Sequence, residues 1–197
     1  DASTENRPIS LDFVKSLGHF ASVPLTVGGG ISTINEIEAI IASGVERVAL
    51  SSVLASNPNF LKDASKNFGS STVVVLINVV TSPDDGKYLA RFGKDPSSPF
   101  IPIDHAVRYC QDNGAGEIIL HDICREGTRS GFNKDLFVRY SQTCDLPVTA
   151  LGGGSTEFDL QKLFQGSNIA AAALGSVFVY APNTGQVLIN YNQFSSK

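Results

Sequence analysis

Two glycine triplets carry the clearest chemistry in this chain: Gly28-Gly29-Gly30 in VPLTVGGGIS and Gly152-Gly153-Gly154 in LPVTALGGGS. Each closes a short apolar stretch that follows a proline, Pro24 or Pro147. Glycines at the carboxyl end of a strand let a ligand approach the backbone. A helix that follows begins with N–H groups lacking an intrahelical partner, so such a turn suits an anion such as phosphate. Gly28 lies 23 residues before Ser51 and Gly152 lies 23 residues before Gly175, and each second anchor ends another apolar stretch, VERVALSS or IAAAALGS. Each copy thus reads strand, glycine turn, helix, strand, small-residue turn. This is a βαβ unit used twice, and two such turns imply two phosphates. The competing explanation is tight strand-to-helix packing with no ligand.

Other reactive residues point to less. His121 and Cys124 invite a base and nucleophile reading, but three positions apart on one strand they face opposite sides, and Cys124 reads as a small buried thiol. His19 and His105 fall on helix surfaces. Asp84-Asp85 and Lys94-Asp95 read as solvated loop charges. No His, Cys and carboxylate grouping has metal-site spacing, and neither metal nor cofactor is expected.

The elements that must position these residues follow from periodicity. ISLDFVKSLGHFA has helical spacing with Ser10 as cap. VPLTVGG is a strand, and STINEIEAIIASG is an amphipathic helix capped by Ser32 or Thr33 and ended by Gly44. RVALSS is a strand, NPNFLKDASKNFG a helix with Pro58 in its first turn, and STVVVLINVV a fully covered parallel strand. Residues 81–102, with four prolines and two glycines, read as an ordered excursion or small hairpin. Then follow IDHAVRYCQDNG (helix), EIILHDI (strand), KDLFVRYSQTC (helix), LPVTALGGG (strand), STEFDLQKLFQGS (helix) and IAAAALGSVFVY (strand), with residues 181–197 as a tail. Six strands and at most seven helices in strict alternation predict a parallel sheet. Polar and glycine-rich residues at the strands' carboxyl ends favour a (β/α)₈ barrel over a doubly wound sheet.

At 197 residues, 42% hydrophobic and 17% charged, the chain fits one α/β domain spanning 1–197. A net charge of −4 argues against a nucleic-acid surface, and no apolar run is long enough to span a membrane. Cys110, Cys124 and Cys144 are too few and scattered for a disulfide framework, no signal peptide opens the chain, and a reducing cytoplasm is expected. Methionine is absent, and DASTENRP is a polar loop of the kind that follows a strand. The chain is therefore expected to lack its natural beginning. For a (β/α)₈ barrel that means strand 1, helix 1 and most of strand 2, leaving open sheet edges through which copies could associate.

VPLTVGGGI, FGSSTVVVLINV, GAGEIILHDICREGTRSGF, PVTALGGGS and GSVFV, in that order, resemble the cyclase subunit of imidazole glycerol phosphate synthase, the HisF family. The resemblance runs from the first loop to about Tyr180. It implies a (β/α)₈ barrel built of two similar halves, and a bisphosphorylated aminoimidazole carboxamide ribonucleotide as substrate. It also implies a glutaminase (HisH-like) partner that docks on the opposite face and sends ammonia through the barrel. ALGGG, GSVFVY and the tail segment QVLINY further resemble second-copy homologues associated with sugar amidation in surface-polysaccharide synthesis.

Carried over by position, the resemblance places one phosphate on Gly29, Gly30, Ser51 and Ser52. It places the other on Gly127, Thr128, Gly152, Gly153, Gly175 and Ser176. It puts Asn78 where the family has a catalytic aspartate on strand 5, and Val80 where a basic residue usually follows. Its strand 6 motif reads Asp122, Cys124 and Glu126. Arg47 and Glu117 match a charged ring guarding ammonia entry, and Glu46 matches an acidic contact to the glutaminase. An amide cannot shuttle a proton near neutral pH, so the chain as it stands is expected to be a poor cyclase, or a non-catalytic phosphate-binding barrel.

Overall fold

The computed structural model describes residues 9–179; the DASTENRP loop and the 181–197 tail lie outside the described residues. The strands pair in the order β1-β2-β3-β6-β7-β8, and β1–β2, β2–β3 and β7–β8 run parallel. With helices between consecutive strands this is an α/β fold of the (β/α)₈ type. The chain divides into two compact units, residues 1–78 with 89–118 and residues 79–88 with 119–197.

The first unit opens with α1 (Leu11–Phe20), whose Phe13 N–H is capped by Ser10 Oγ at 3.4 Å. β1 (Thr26–Gly28), α2 (Ile34–Ile41) and β2 (Arg47–Leu50) follow, then two helices, α3 (Ser52–Ser56) and α4 (Phe60–Phe68). β3 (Val73–Thr81) is buried along most of its length, as a continuous apolar run covered on both faces should be. The 81–102 excursion forms β4 (Tyr88–Arg91) and β5 (Ile101–Pro102), an antiparallel pair. α5 (Ile103–Asp112) then leads into β6 (Glu117–Asp122). Ile37, Leu61, Val73, Val75, Ile77 and Ile118 are fully buried, each contributing about 1.5–3 kcal/mol relative to exposure.

The second unit holds the rest of β6, α6 (Lys134–Thr143), β7 (Val148–Leu151), α7 (Glu157–Phe164), β8 (Ala171–Ala173) and α8 (Ser176–Val179) around Leu120, Leu136, Phe137 and Ala150. Eight α-helices are thus present among the described residues, against six placed in the sequence and at most seven expected. Both additions, α3 and α8, start directly after a second anchor, Ser51 or Gly175. The expected strand through GSVFV ends at Ala173 instead, because the chain turns at Leu174-Gly175 and its next residues wind into α8.

Among the described residues no helix is long and apolar enough to cross a membrane.

Candidate functional site

In the second unit the structure brings four of the expected phosphate residues together. Gly127, Gly152, Gly153 and Gly175 line one cavity of about 150 Å³, joined by Gly154, Arg129 and Glu126. A single water needs roughly 10–15 Å³ of such space, so the cavity admits a group of several heavy atoms, the size of a phosphoryl group.

The glycines there have different reasons for being glycine. A Cβ on Gly152 would lie 2.5 Å from the Asp122 carbonyl oxygen, one on Gly153 would run into the Gly131 carbonyl, and one on Gly154 would enter the Phe132 ring. Packing alone therefore demands the triplet. Gly175 differs, since its φ is not positive and an added Cβ would meet nothing within 4 Å. Among the described residues, nothing crowds a side chain at position 175.

The loop over this cavity hangs from Asp122, which is 2% exposed. Its Oδ1 accepts from Cys124 N–H at 3.1 Å and its Oδ2 from Asn133 Nδ2 at 3.1 Å, while Arg125 Nε stands 3.8 Å away. Asn133 in turn accepts from Leu136 N–H, capping α6. Most donors of the loop itself are spent. Thr128 N–H and Oγ1 both reach Arg125 O, Ser130 N–H donates to Thr128 Oγ1, and Gly131 N–H donates to Gly153 O. Thr128 thus builds the turn, with neither its amide nor its hydroxyl proton turned to a ligand. Arg129 is the sole non-glycine described with positive φ (55°), a conformation costing about 1–2 kcal/mol for an L side chain. Ser176 opens α8, and its side chain lies outside the described residues.

The first unit repeats the turn with a difference. Gly29 and Gly30 (φ 117° and 71°) have the backbone of Gly152 and Gly153 (110° and 88°). The ladder pairs Gly28 with Ala49 and Leu151 with Ala173. Gly28 therefore corresponds to Leu151, not Gly152, while Ser51 corresponds to Gly175. The equal spacing in the sequence hides a one-residue offset: turn to second anchor is 22 residues from Gly29 to Ser51 and 23 from Gly152 to Gly175.

At the start of the helix after each turn, a carboxylate of the chain takes the N–H groups of the cap residue and the residue before it. Glu36 Oε2 accepts from Ser32 N–H at 2.8 Å and Thr33 N–H at 2.9 Å, while Thr33 Oγ1 accepts from Glu36 N–H. Asp159 Oδ2 accepts from Ser155 N–H at 3.0 Å and Thr156 N–H at 2.9 Å, and Thr156 Oγ1 returns the bond. Burial pushes both carboxyls up, but hydrogen bonds from these backbone and hydroxyl groups outweigh it and hold both below the usual range.

At the first anchor, Ser51 Oγ donates to Leu76 O at 2.7 Å and accepts from Gly93 N–H at 2.8 Å, so its proton is not available to an anion. Asn78, 3% exposed, donates Nδ2–H to Gly93 O at 2.6 Å. Gly93 also packs against Ser52, whose Cα would be 2.8 Å from an added Cβ. The β4–β5 excursion is therefore seated on Ser51, Ser52 and Asn78 through one glycine. Gly30 lines a separate cavity of about 210 Å³ with Ile9, Leu11, Ile31 and Ile40, an apolar setting.

At the amino ends of β2 and β6, Arg47 Nη1 donates to Glu117 Oε2 at 2.6 Å, and Glu46 Oε2 accepts from Leu25 N–H at 2.6 Å. Cys124 is exposed rather than buried, because β6 ends at Asp122 and leaves it in the turn. His121 Nε2 lies 3.2 Å from Glu126 Oε2. Among the described residues no group of three or more His, Cys, Asp or Glu side chains could hold a metal ion. Sequence reasoning missed Gly93 beneath Ser51 and Asn78, and Arg129 on the wall of the glycine cavity. Gly93 carried no signal beyond being a glycine in a long excursion.

Residues 1–184 match the profile of a family described as histidine biosynthesis protein. The chain is 38% identical to imidazole glycerol phosphate synthase subunit HisF of Alkaliphilus metalliredigens, over 91% of this chain and 71% of that protein. It is 32% identical to the subunit of the same name from Streptococcus mutans, with the same coverage. Against that of Lactococcus lactis it is 31% identical over 93% of this chain and 71% of the relative.

Proposed function

The chain belongs to the HisF family of imidazole glycerol phosphate synthase subunits, and from that premise we propose that it binds a bisphosphorylated aminoimidazole carboxamide ribonucleotide and serves ammonia-dependent cyclisation beside a glutaminase partner. The observation that carries the reading is the glycine-lined cavity, with Gly175 at its wall where no described residue crowds a side chain. One phosphate would sit there; the other would lie at the Gly29-Gly30 turn, held by backbone groups, with Ser51 and Ser52 shaping the second anchor. Ammonia from the partner would enter past the Arg47–Glu117 pair, with Glu46 near the docking surface.

Cyclisation needs a group that gives and takes protons, and Asn78 cannot do so. Its bond to Gly93 favours a second reading, a barrel that holds the phosphorylated molecule without turning it over. Supplying ammonium and the bisphosphorylated substrate to the chain, and following imidazole glycerol phosphate, separates the two. Product supports the cyclase. Retained substrate without product supports the holding role, and neither result leaves the phosphate assignment without support.

A further inference from the structure

We infer that the loop from Phe92 to Phe100, between β4 and β5, is a lid on the first anchor, clasped shut through Gly93 and primed to open by an unpartnered nitrogen of Arg91. The opening of the loop does not depend on the phosphate reading. Within 92–100 only Gly93 is buried. Its N–H donates to Ser51 Oγ at 2.8 Å, its carbonyl accepts from Asn78 Nδ2 at 2.6 Å, and an added Cβ would lie 2.8 Å from Ser52 Cα. Its φ of 73° suits glycine. Beyond the clasp the loop turns on itself. Asp95 Oδ1 accepts from Ser97 N–H and from Ser97 Oγ, each at 2.8 Å, and Ser98 N–H donates to Asp95 O. Such bonds travel with the loop and do not tie it to the sheet. A segment that buries so little belongs to the low-stability end of a fold and can open while the core stays closed.

What opposes closure lies beside the clasp. Arg91 Nε is the one buried side-chain nitrogen or oxygen among the described residues with no hydrogen-bond partner. Phe100 covers its guanidinium, with the ring centre 4.7 Å from Cζ, and supplies no oxygen or nitrogen to accept the N–H. A donor shut away from both water and an acceptor destabilises the arrangement that buries it. Lifting Phe100 with the loop hydrates Arg91, so the closed lid is held at Gly93 and opposed at Arg91. Lifting Gly93 uncovers Ser51 and Ser52.

The test is amide hydrogen exchange on the whole chain by NMR, read at position 93 with Val75 and Ile77 of the buried β3 as reference. Native Gly93 should exchange faster than both. Arg91→Met keeps a flexible stem against Phe100 and removes the unpaired N–H, so exchange at Gly93 should slow about five-fold or more. Gly93→Ala breaks the clasp, and exchange at position 93 should rise about ten-fold or more with β3 unchanged. Unchanged or faster exchange in Arg91→Met would overturn the inference. So would Gly93→Ala loosening β3 in step with position 93, since the clasp would then belong to the core. Inorganic phosphate, compared with chloride at equal ionic strength, should speed exchange at native Gly93. Phosphate that shifts the Gly29 and Gly30 amides without that response would overturn the lid's part in anion entry. Phosphate that moves neither would overturn the phosphate reading of this unit, while the variants still decide whether the loop opens.

Discussion

Replacing Asn78 by aspartate is the sharpest perturbation available. Asn78 is 3% exposed and gives Nδ2–H to the carbonyl of Gly93, itself buried, at 2.6 Å. An ionised carboxylate has no proton to give, so the Gly93 oxygen loses its donor at a cost of about 1–3 kcal/mol, and two oxygens then face each other away from water. Protonation restores the donor, so burial and the facing carbonyl raise the introduced carboxyl above the ordinary carboxylate range. The sign follows: a raised folded-state value leaves stability near native below the unfolded-state value and removes it as pH rises through the folded one. Urea unfolding of native and Asn78→Asp chains should differ by about 1 kcal/mol or less near pH 4 and by about 3 kcal/mol near pH 8. An equal difference at both pH values would refute the buried contact with Gly93. The same variant reports on function, because the resemblance places an acidic group of the family at this position. Gained turnover with ammonium would show that Gly93 can yield its place, and no gain leaves the holding role.

Gly175→Ala should keep or raise stability by about 0.4–1 kcal/mol through the unfolded chain, yet weaken phosphate binding in calorimetric titration. Gly153→Ala, which meets the Gly131 carbonyl, should instead unfold the chain at lower urea and so cannot test binding. Glu36→Ala and Asp159→Ala should each cost about 1 kcal/mol in urea unfolding at neutral pH. Both carboxyls are held low in the folded state, so their contribution is present above the unfolded-state values and is lost as pH falls through the folded ones. Arg47→Ala should cost only about 0.2–1 kcal/mol, because the pair is partly exposed. In a complex with a glutaminase it should lower glutamine-driven turnover while sparing turnover on added ammonium, and equal loss on both nitrogen sources would exclude a gate.

Order and type of the main elements were legible because burial imposes period on sequence. Ile34, Ile37, Ile40 and Ile41 mark α2, and the unbroken VVVLINVV marks a strand covered on both sides. α3 and α8 were not legible. Each is a single short helix begun by a serine just after a strand, with too few residues to show a period. The repeat itself was visible, but its register was not. Identical glycine triplets aligned the copies by composition, whereas strand pairing and φ align them one residue apart. The capping boxes were half legible, because Thr33 announces a cap, but only geometry shows Glu36 and Asp159 closing the reciprocal bonds on the N–H groups just ahead of each helix.

That last point changes what a glycine-rich turn argues. A triplet following a strand invites a phosphate reading, yet Gly152, Gly153 and Gly154 are each demanded by atoms of the chain itself. Such a triplet would look the same with no ligand at all, so its presence discriminates poorly between binding and packing. Discrimination comes from the glycine that packing does not explain. Gly175 has neither a left-handed backbone nor, among the described residues, a crowded Cβ, and it lies on the wall of a cavity. The proposed phosphate site rests on that position rather than on the triplet, because a bound group that needs room at the wall would disfavour a side chain there.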